Sequence, residues 1–143
     1  MKNILFVCIH NSARSQMAEA FLNSLELENV LAESAGLEEG HLNPIVVDAM
    51  KEIGIDISEN KSKSVKGFID AGRHFNYVIT VCDQASSESC PFFPGSAYKR
   101  LHWSFDDPSK FEGSYDEKLE KVRKLRDEIG SRIYDFSKEL KKE

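Results

Sequence analysis

The residues that most invite chemistry in this sequence are its three cysteines, Cys8, Cys82 and Cys90. Cys8 opens the run Cys8-Ile9-His10-Asn11-Ser12-Ala13-Arg14-Ser15, a Cys-x5-Arg-Ser arrangement. It lies between the apolar stretch Ile4-Leu5-Phe6-Val7 and a segment with helical spacing. A short loop that wraps back on itself there turns backbone N–H groups inward as a nest for a tetrahedral oxyanion. The start of the following helix adds positive potential at the same point, and Arg14 closes the ring with a planar, two-pronged donor. The candidate oxyanion-binding residues are Cys8, Ile9, His10, Asn11, Ser12, Ala13 and Arg14. The same field favours a thiolate at the mouth of the loop. Ser15 is placed to donate a hydrogen bond to the sulfur, and Asn11 tolerates a left-handed backbone. The plainer alternative is a structural turn around a buried cysteine.

Cys82 and Cys90 bracket seven residues, four of which are Ser or Ala and none a large apolar. An odd number of thiols, with no secretory leader expected, argues against a structural disulfide framework. Buried apolar packing, metal binding and redox chemistry remain, and the spacing lacks the C-x2-C pattern of zinc ligands. Farther on, Asp106-Asp107-Pro108 offers two carboxyl groups, with the proline disfavouring helix at the residue before it. Taken alone, such a tripeptide is a turn.

The elements that must position these residues follow from periodicity. Lys2 to Val7 reads as a buried strand. Residues 15–25 follow as a helix with Met17, Ala18, Phe21, Leu22 and Leu25 on one face. Val30 to Glu33 forms a short second strand closed by Ser34-Ala35-Gly36. A helix then starts with Asn43 as N-cap and Pro44 in its first turn, and stops at Gly54. Tyr77 to Val81 is a β-branched central strand, and Lys99 to Trp103 a weaker fourth one, with Trp103 in the core. One long amphipathic helix ends the chain, its apolar stripe running Leu119, Val122, Leu125, Ile129, Ile133, Phe136, Leu140. Its basic remainder reads as a solvated face.

Strands alternating with helices predict an α/β fold: a single domain over residues 1–143 with a four-stranded parallel sheet flanked by helices on both faces. Ligands of such sheets sit beyond the carboxyl ends of the strands. Cys8, Ser34, Cys82 and Asp106-Asp107-Pro108 are all expected at that edge.

Size and charge narrow the function. The 143 residues suit one domain, and 41% hydrophobic content supports a real core. Nineteen Lys and Arg against 24 Asp and Glu leave a net charge of −5, which excludes the electrostatic footprint of a nucleic-acid binder. The N-terminal apolar run is too short for a signal peptide or membrane span, so no membrane partner and a cytoplasmic location are expected.

The loop and its surroundings resemble the low-molecular-weight protein tyrosine phosphatase fold family, and within it the thioredoxin-coupled arsenate reductases. The resemblance spans nearly the whole chain. It rests on the loop, Arg14 to Glu19, Ser34-Ala35-Gly36, Leu42-Asn43-Pro44, Gly54 to Ser58 and Trp103 to Pro108. It implies that Cys8 attacks arsenate, with Arg14 and Ser15 assisting, while Asp107 (Asp106 the fallback) protonates the departing oxygen. Cys82 then attacks the Cys8 sulfur, arsenite leaves, and Cys90 passes the oxidation outward as a Cys82–Cys90 disulfide for thioredoxin to reduce. Phosphate or sulfate would compete for the cradle. No cofactor is expected, and the protein is expected to act as a monomer.

Two features favour reductase over phosphatase within that resemblance. The aromatic walls of a phosphotyrosine slot are missing after Asp107-Pro108, where Ser109, Lys110 and Phe111 stand, and Gln16 replaces a proline usual in the phosphatases. The second thiol pair is the other feature. A phosphatase acting on phosphotyrosine or small aryl phosphates is the alternative. A helical 82–90 segment would hold its ends about 12 Å apart. A disulfide needs Cα atoms within about 7 Å, so the segment is expected to be helical or mobile when reduced and looped when oxidised.

The sequence also departs from the family pattern. His10 stands where the family often has Gly, and it is expected to face solvent. Some members bind potassium beside the loop through residues matching Asn11, Glu19 and Ser34. A further expected carboxylate is Lys63 here, whose ammonium would replace the ion, so no metal is expected. His41, His74 and His102 read as surface or packing residues.

Overall fold

The computed structural model describes residues 1–38, 40–82 and 93–142. Four parallel strands form one sheet in the order β2-β1-β3-β4, where β1 is Lys2–Cys8, β2 Val30–Gly36, β3 His74–Thr80 and β4 Ser96–His102. Between β1 and β2 runs α1, Arg14–Ser24. Between β2 and β3 run α2, Pro44–Lys51, and α3, Val65–Asp70. A 3-10 turn, Pro108–Lys110, and the long α4, Tyr115–Lys141, follow β4.

The central strand β1 separates two cores by its pleat. Ile4, Phe6 and Cys8 face the larger cluster, which α1, α2 and α4 cover, and Leu5 and Val7 face the smaller one, which takes Val65 and Phe68 from α3. Helices therefore cover both faces, as predicted. Every residue of the predicted α4 stripe is buried, and Phe136 meets Tyr77 and Trp103 edge-on at centroid distances of 5.2 and 5.3 Å. Truncating Ile129, fully buried in this stripe, would cost about 2–5 kcal/mol.

Local signals explain most boundaries. Asn43 caps α2 by accepting from the N–H groups of Ile45 and Val46, and Pro44 fills its first turn. Gly54, at φ +82°, ends the turn behind α2 in a conformation that favours glycine. Ser114 and Glu117 form a reciprocal capping box at the start of α4.

Several expectations need correction. The first helix starts at Arg14 and ends at Ser24, and Leu25 lies beyond it, 38% exposed, where the chain turns toward β2. Ser34 is inside β2 rather than after it, because that strand pairs with β1 through Gly36. Strand β3 starts at His74, three residues earlier than the apolar run, and Asn76 in this start accepts from the Asn3 N–H at 2.8 Å. Strand β4 is an edge strand, Ser96–His102, with Tyr98, Lys99 and Arg100 exposed, so Trp103 follows it. The helix α3 was not foreseen: its six residues are too few to show a period.

Candidate active site

The loop from Cys8 to Arg14 joins β1 to α1 at the carboxyl edge of the sheet. Its shape follows from where its carbonyls go. Cys8 and Ile9 carbonyls accept from the N–H groups of Leu37 and Glu38 at 3.1 and 2.9 Å. The His10 carbonyl accepts from Ser62 Oγ at 2.8 Å, Asn11 from Gln16 Nε2 at 3.2 Å, and Ser12 from the Asn43 N–H at 3.0 Å. Each of these donors lies outside the loop. In a trans peptide the N–H points opposite to the preceding carbonyl, so five successive carbonyls tied outward turn the N–H groups of residues 9–13 the other way. The Asn11 N–H, opposite the His10 carbonyl, illustrates this by donating to Cys8 Sγ at 3.1 Å. No side chain caps α1 at Ala13, so its first-turn N–H groups are not taken up by a cap and suit an anion.

Gly36 lets the loop sit so close to β2. A Cβ there would lie 2.6 Å from the Asn11 nitrogen, 2.7 Å from the His10 carbonyl carbon and 2.8 Å from the Ile9 oxygen, all of them backbone. The glycine ends β2 and its N–H donates to the Lys63 carbonyl at 2.8 Å. Asn11 sits at φ +53°, the left-handed region its short amide side chain tolerates.

Cys8 is 2% exposed at the foot of this cradle, a free thiol. Its sulfur lies 2.8 Å from Ser15 Oγ. Ser15 Oγ already accepts from Asn11 Nδ2 at 2.8 Å, which leaves the hydroxyl proton for the sulfur. Arg14 is 4% exposed. One of its guanidinium nitrogens donates to the Phe105 carbonyl at 3.1 Å, and the other lies 3.8 Å from Asp107 Oδ2. Of the adjacent acids, Asp107 is thus turned to the cradle and half-buried, while Asp106 is exposed. The other carboxyl oxygen of Asp107 accepts from the Ser109 N–H at 3.0 Å and hydroxyl at 2.8 Å, anchoring the side chain at the start of the 3-10 turn.

Cys82 lies two residues beyond β3. The Val81 N–H donates to the Val7 carbonyl at 2.9 Å, so the pairing of β1 with β3 continues to the point where Cys8 and Cys82 leave adjacent strand ends. Cys82 is fully buried and disulfide-bonded. Cys90, and the segment expected to bend between the two residues, lie outside the described residues.

Beside the loop, Glu19 Oε1 accepts from Lys63 Nζ at 3.0 Å and from Ser34 Oγ at 3.2 Å. The ammonium thus occupies the neighbourhood in which the resemblance would set a potassium ion. His10 is exposed, 3.8 Å from Glu38 Oε2. His41 and His74 are exposed, and His102 Nδ1 pairs with Thr80 Oγ1 at 2.7 Å. Gly36, the Phe105 carbonyl, Asn60 and the Ser62 hydroxyl carry parts of the site that sequence reasoning did not assign. Gly36, within Ser34-Ala35-Gly36, and Phe105, within Trp103 to Pro108, stood in motifs already singled out; Asn60 and Ser62 did not.

Residues 3–143 match the family described as low molecular weight phosphotyrosine protein phosphatase. The chain is 43% identical over 136 residues to an arsenate reductase of Shouchella clausii and 41% identical over 136 residues to one of Bacillus subtilis, in both cases over 95% of either chain. A solved structure described as an arsenate reductase in the phosphate binding state superposes with a TM-score of 0.78 at 30% identity, covering 95% of this chain and 96% of the other.

Proposed function

Because the chain belongs to the low molecular weight phosphotyrosine protein phosphatase family, matched over residues 3–143, we propose that it is a thioredoxin-coupled arsenate reductase working as a single domain in the cytoplasm. The observation that carries this reading is that two cysteines in different states leave neighbouring strand ends. Cys8 is free in an anion cradle, and Cys82 is already engaged in a disulfide. Phosphate ester hydrolysis needs the first thiol alone. Reduction of arsenate needs two electrons, which a dithiol supplies.

In the proposed sequence the Cys8 thiolate attacks arsenic(V) held by the loop N–H groups and Arg14. An As–O bond breaks, and Asp107 gives its proton to the departing oxygen, which leaves as water. Attack by the Cys82 thiolate on the Cys8 sulfur then forms a Cys8–Cys82 disulfide. The S–As electron pair stays on arsenic, which departs as arsenite. Cys90 displaces Cys8 from Cys82, freeing the nucleophile, and thioredoxin takes up the oxidation of the Cys82–Cys90 pair. The relatives named arsenate reductase, matched over 95% of their length, support the arsenate-reducing part of this reading.

Following NADPH oxidation with arsenate, this protein, thioredoxin and thioredoxin reductase tests it. Sustained turnover that is lost in Cys90→Ser is expected. A flat NADPH trace beside hydrolysis of an aryl phosphate would overturn it in favour of a phosphatase.

A further inference from the structure

Behind the loop, away from any substrate, Gln16 and Asn60 form a polar chain that ends on the nucleophile. Gln16 is fully buried directly under the loop. Its Nε2 faces three oxygens: the Asn11 carbonyl at 3.2 Å, Asn11 Oδ1 at 2.9 Å and the Lys61 carbonyl at 3.1 Å. Its Oε1 accepts from Asn60 Nδ2 at 3.2 Å.

Backbone groups fix the direction of the amide links. Carbonyls only accept, so the Gln16 atom facing Asn11 and Lys61 must be the nitrogen, and Oε1 faces Asn60. The Lys63 N–H only donates, and it meets Asn11 Oδ1 at 2.9 Å, so the other Asn11 amide atom is the donor toward Ser15. Donors therefore run one way, from Asn60 to Gln16 to Asn11 to Ser15, and the Ser15 hydroxyl donates to Cys8 Sγ when the sulfur is a thiolate, which can only accept. Hydrogen bonds aligned in one sense strengthen one another in a low-dielectric interior. Gln16 also holds the Asn11 carbonyl, and with it the left-handed turn that aims the Asn11 N–H at the same sulfur.

We infer that Gln16 and Asn60 are positioning residues that set the thiolate character of Cys8: Gln16 by fixing both donors to the sulfur, Asn60 by orienting and polarising Gln16. Asn60 reaches this post from the loop behind α2. Its N–H bonds the Ile57 carbonyl at 3.0 Å, in a turn that Asp56 Oδ1 tightens by accepting from the Ser58 N–H at 2.9 Å. The inference rests on Cys8 being the nucleophile, but its measurable content is the reactivity of one thiol, whatever the substrate.

The test is the rate at which iodoacetamide alkylates Cys8 across pH, read by mass spectrometry on the peptide ending at Arg14. Parent, Gln16→Met and Asn60→Ala proteins are compared, with thermal melts alongside. Hydrogen bonds to the sulfur favour its ionised form, so at about pH 6 Gln16→Met is expected to react about tenfold and Asn60→Ala about threefold more slowly. At about pH 9 each variant should match or exceed its parent, because a less stabilised thiolate is the stronger nucleophile once formed. A purely structural role would lower the melting temperature and leave the pH profile in place, which overturns the inference. Loss of rate at every pH would signal blocked access and overturn it too. If Gln16→Met does not fold, the profile of Asn60→Ala decides by itself. The reductase reading fails separately, if Cys8→Ser still turns over arsenate.

Discussion

At Cys8 the chemistry depends on which groups give protons and which hold charge. The sulfur receives the Asn11 N–H and the Ser15 hydroxyl, and Arg14 stands across the cradle with its guanidinium shared between the Phe105 carbonyl and Asp107. Replacing Asp107 by Asn keeps the anchoring to Ser109 but removes the acidic proton. Single-turnover arsenite formation, followed by rapid quench, is expected to fall about 100-fold or more with Cys8 alkylation unchanged; a loss under tenfold would assign the proton to another donor. At Glu19, the Lys63 ammonium already supplies the positive charge beside the loop. Catalytic efficiency is therefore expected to be equal in potassium and sodium salts, and a clear rise in potassium would show that the ammonium does not replace the ion.

At the scale of elements, the site depends on how closely β2 backs the loop and how α2 is tied to α4. Gly36→Ala puts a methyl group against three backbone atoms of the loop. Such overpacking costs about 1–3 kcal/mol, and because the atoms displaced are those of the cradle, activity should fall far more than the melting temperature suggests. Activity near the parental level would mean that the loop can retreat intact. Helix α2 is held to α4 by Glu52, which accepts from Arg123 and from the buried Arg126, itself bonded to the Ala49 carbonyl at 2.8 Å. The hydrogen bond from Arg123, assisted by Arg126, lowers the Glu52 carboxyl from 4.5 to about 2 against the opposing effect of desolvation. A lowered carboxyl contributes stability that is present above its ordinary value and disappears as pH falls through the folded one. The melting-temperature margin of the parent over Glu52→Gln should therefore be constant above about pH 5 and shrink between about pH 4.5 and 2. The pair lies at the surface, so the margin should be modest and fall with added salt. An unchanged margin near pH 3 would remove Glu52 as its source.

For the whole molecule, the expectation is that nucleophile and redox thiols can be separated. Cys82→Ser should keep arsenate or phosphate bound at Cys8 yet give no arsenite, whereas Cys90→Ser should release about one arsenite per protein and stop. Equal multiple turnover in both variants, measured by arsenite release, would rule out the relay. Among the described residues no helix is long and apolar enough to cross a membrane. What the sequence by itself determined is local: the Cys8-x5-Arg14-Ser15 loop, the apolar run of β1, the cap at Asn43 and the α4 stripe. Each is written in residues a few positions apart, where spacing and propensity act directly. The resemblance put Asp107 ahead of Asp106 as the acid, and the tertiary structure decided that Asp107 is the one turned to Arg14, because that depends on which way the chain turns after Phe105. It alone brought Asn60 to the back of the loop, because that bond joins residues more than forty positions apart and leaves no period to read, whereas Lys63 was already set beside the loop by the resemblance. The short α3 and the exposed start of β4 escaped notice for a related reason, since their membership of the fold comes from pairing and packing with partners already in place. At the start of β3 a single buried residue, Phe75, between His74 and Asn76 is too short a signal to extend the strand.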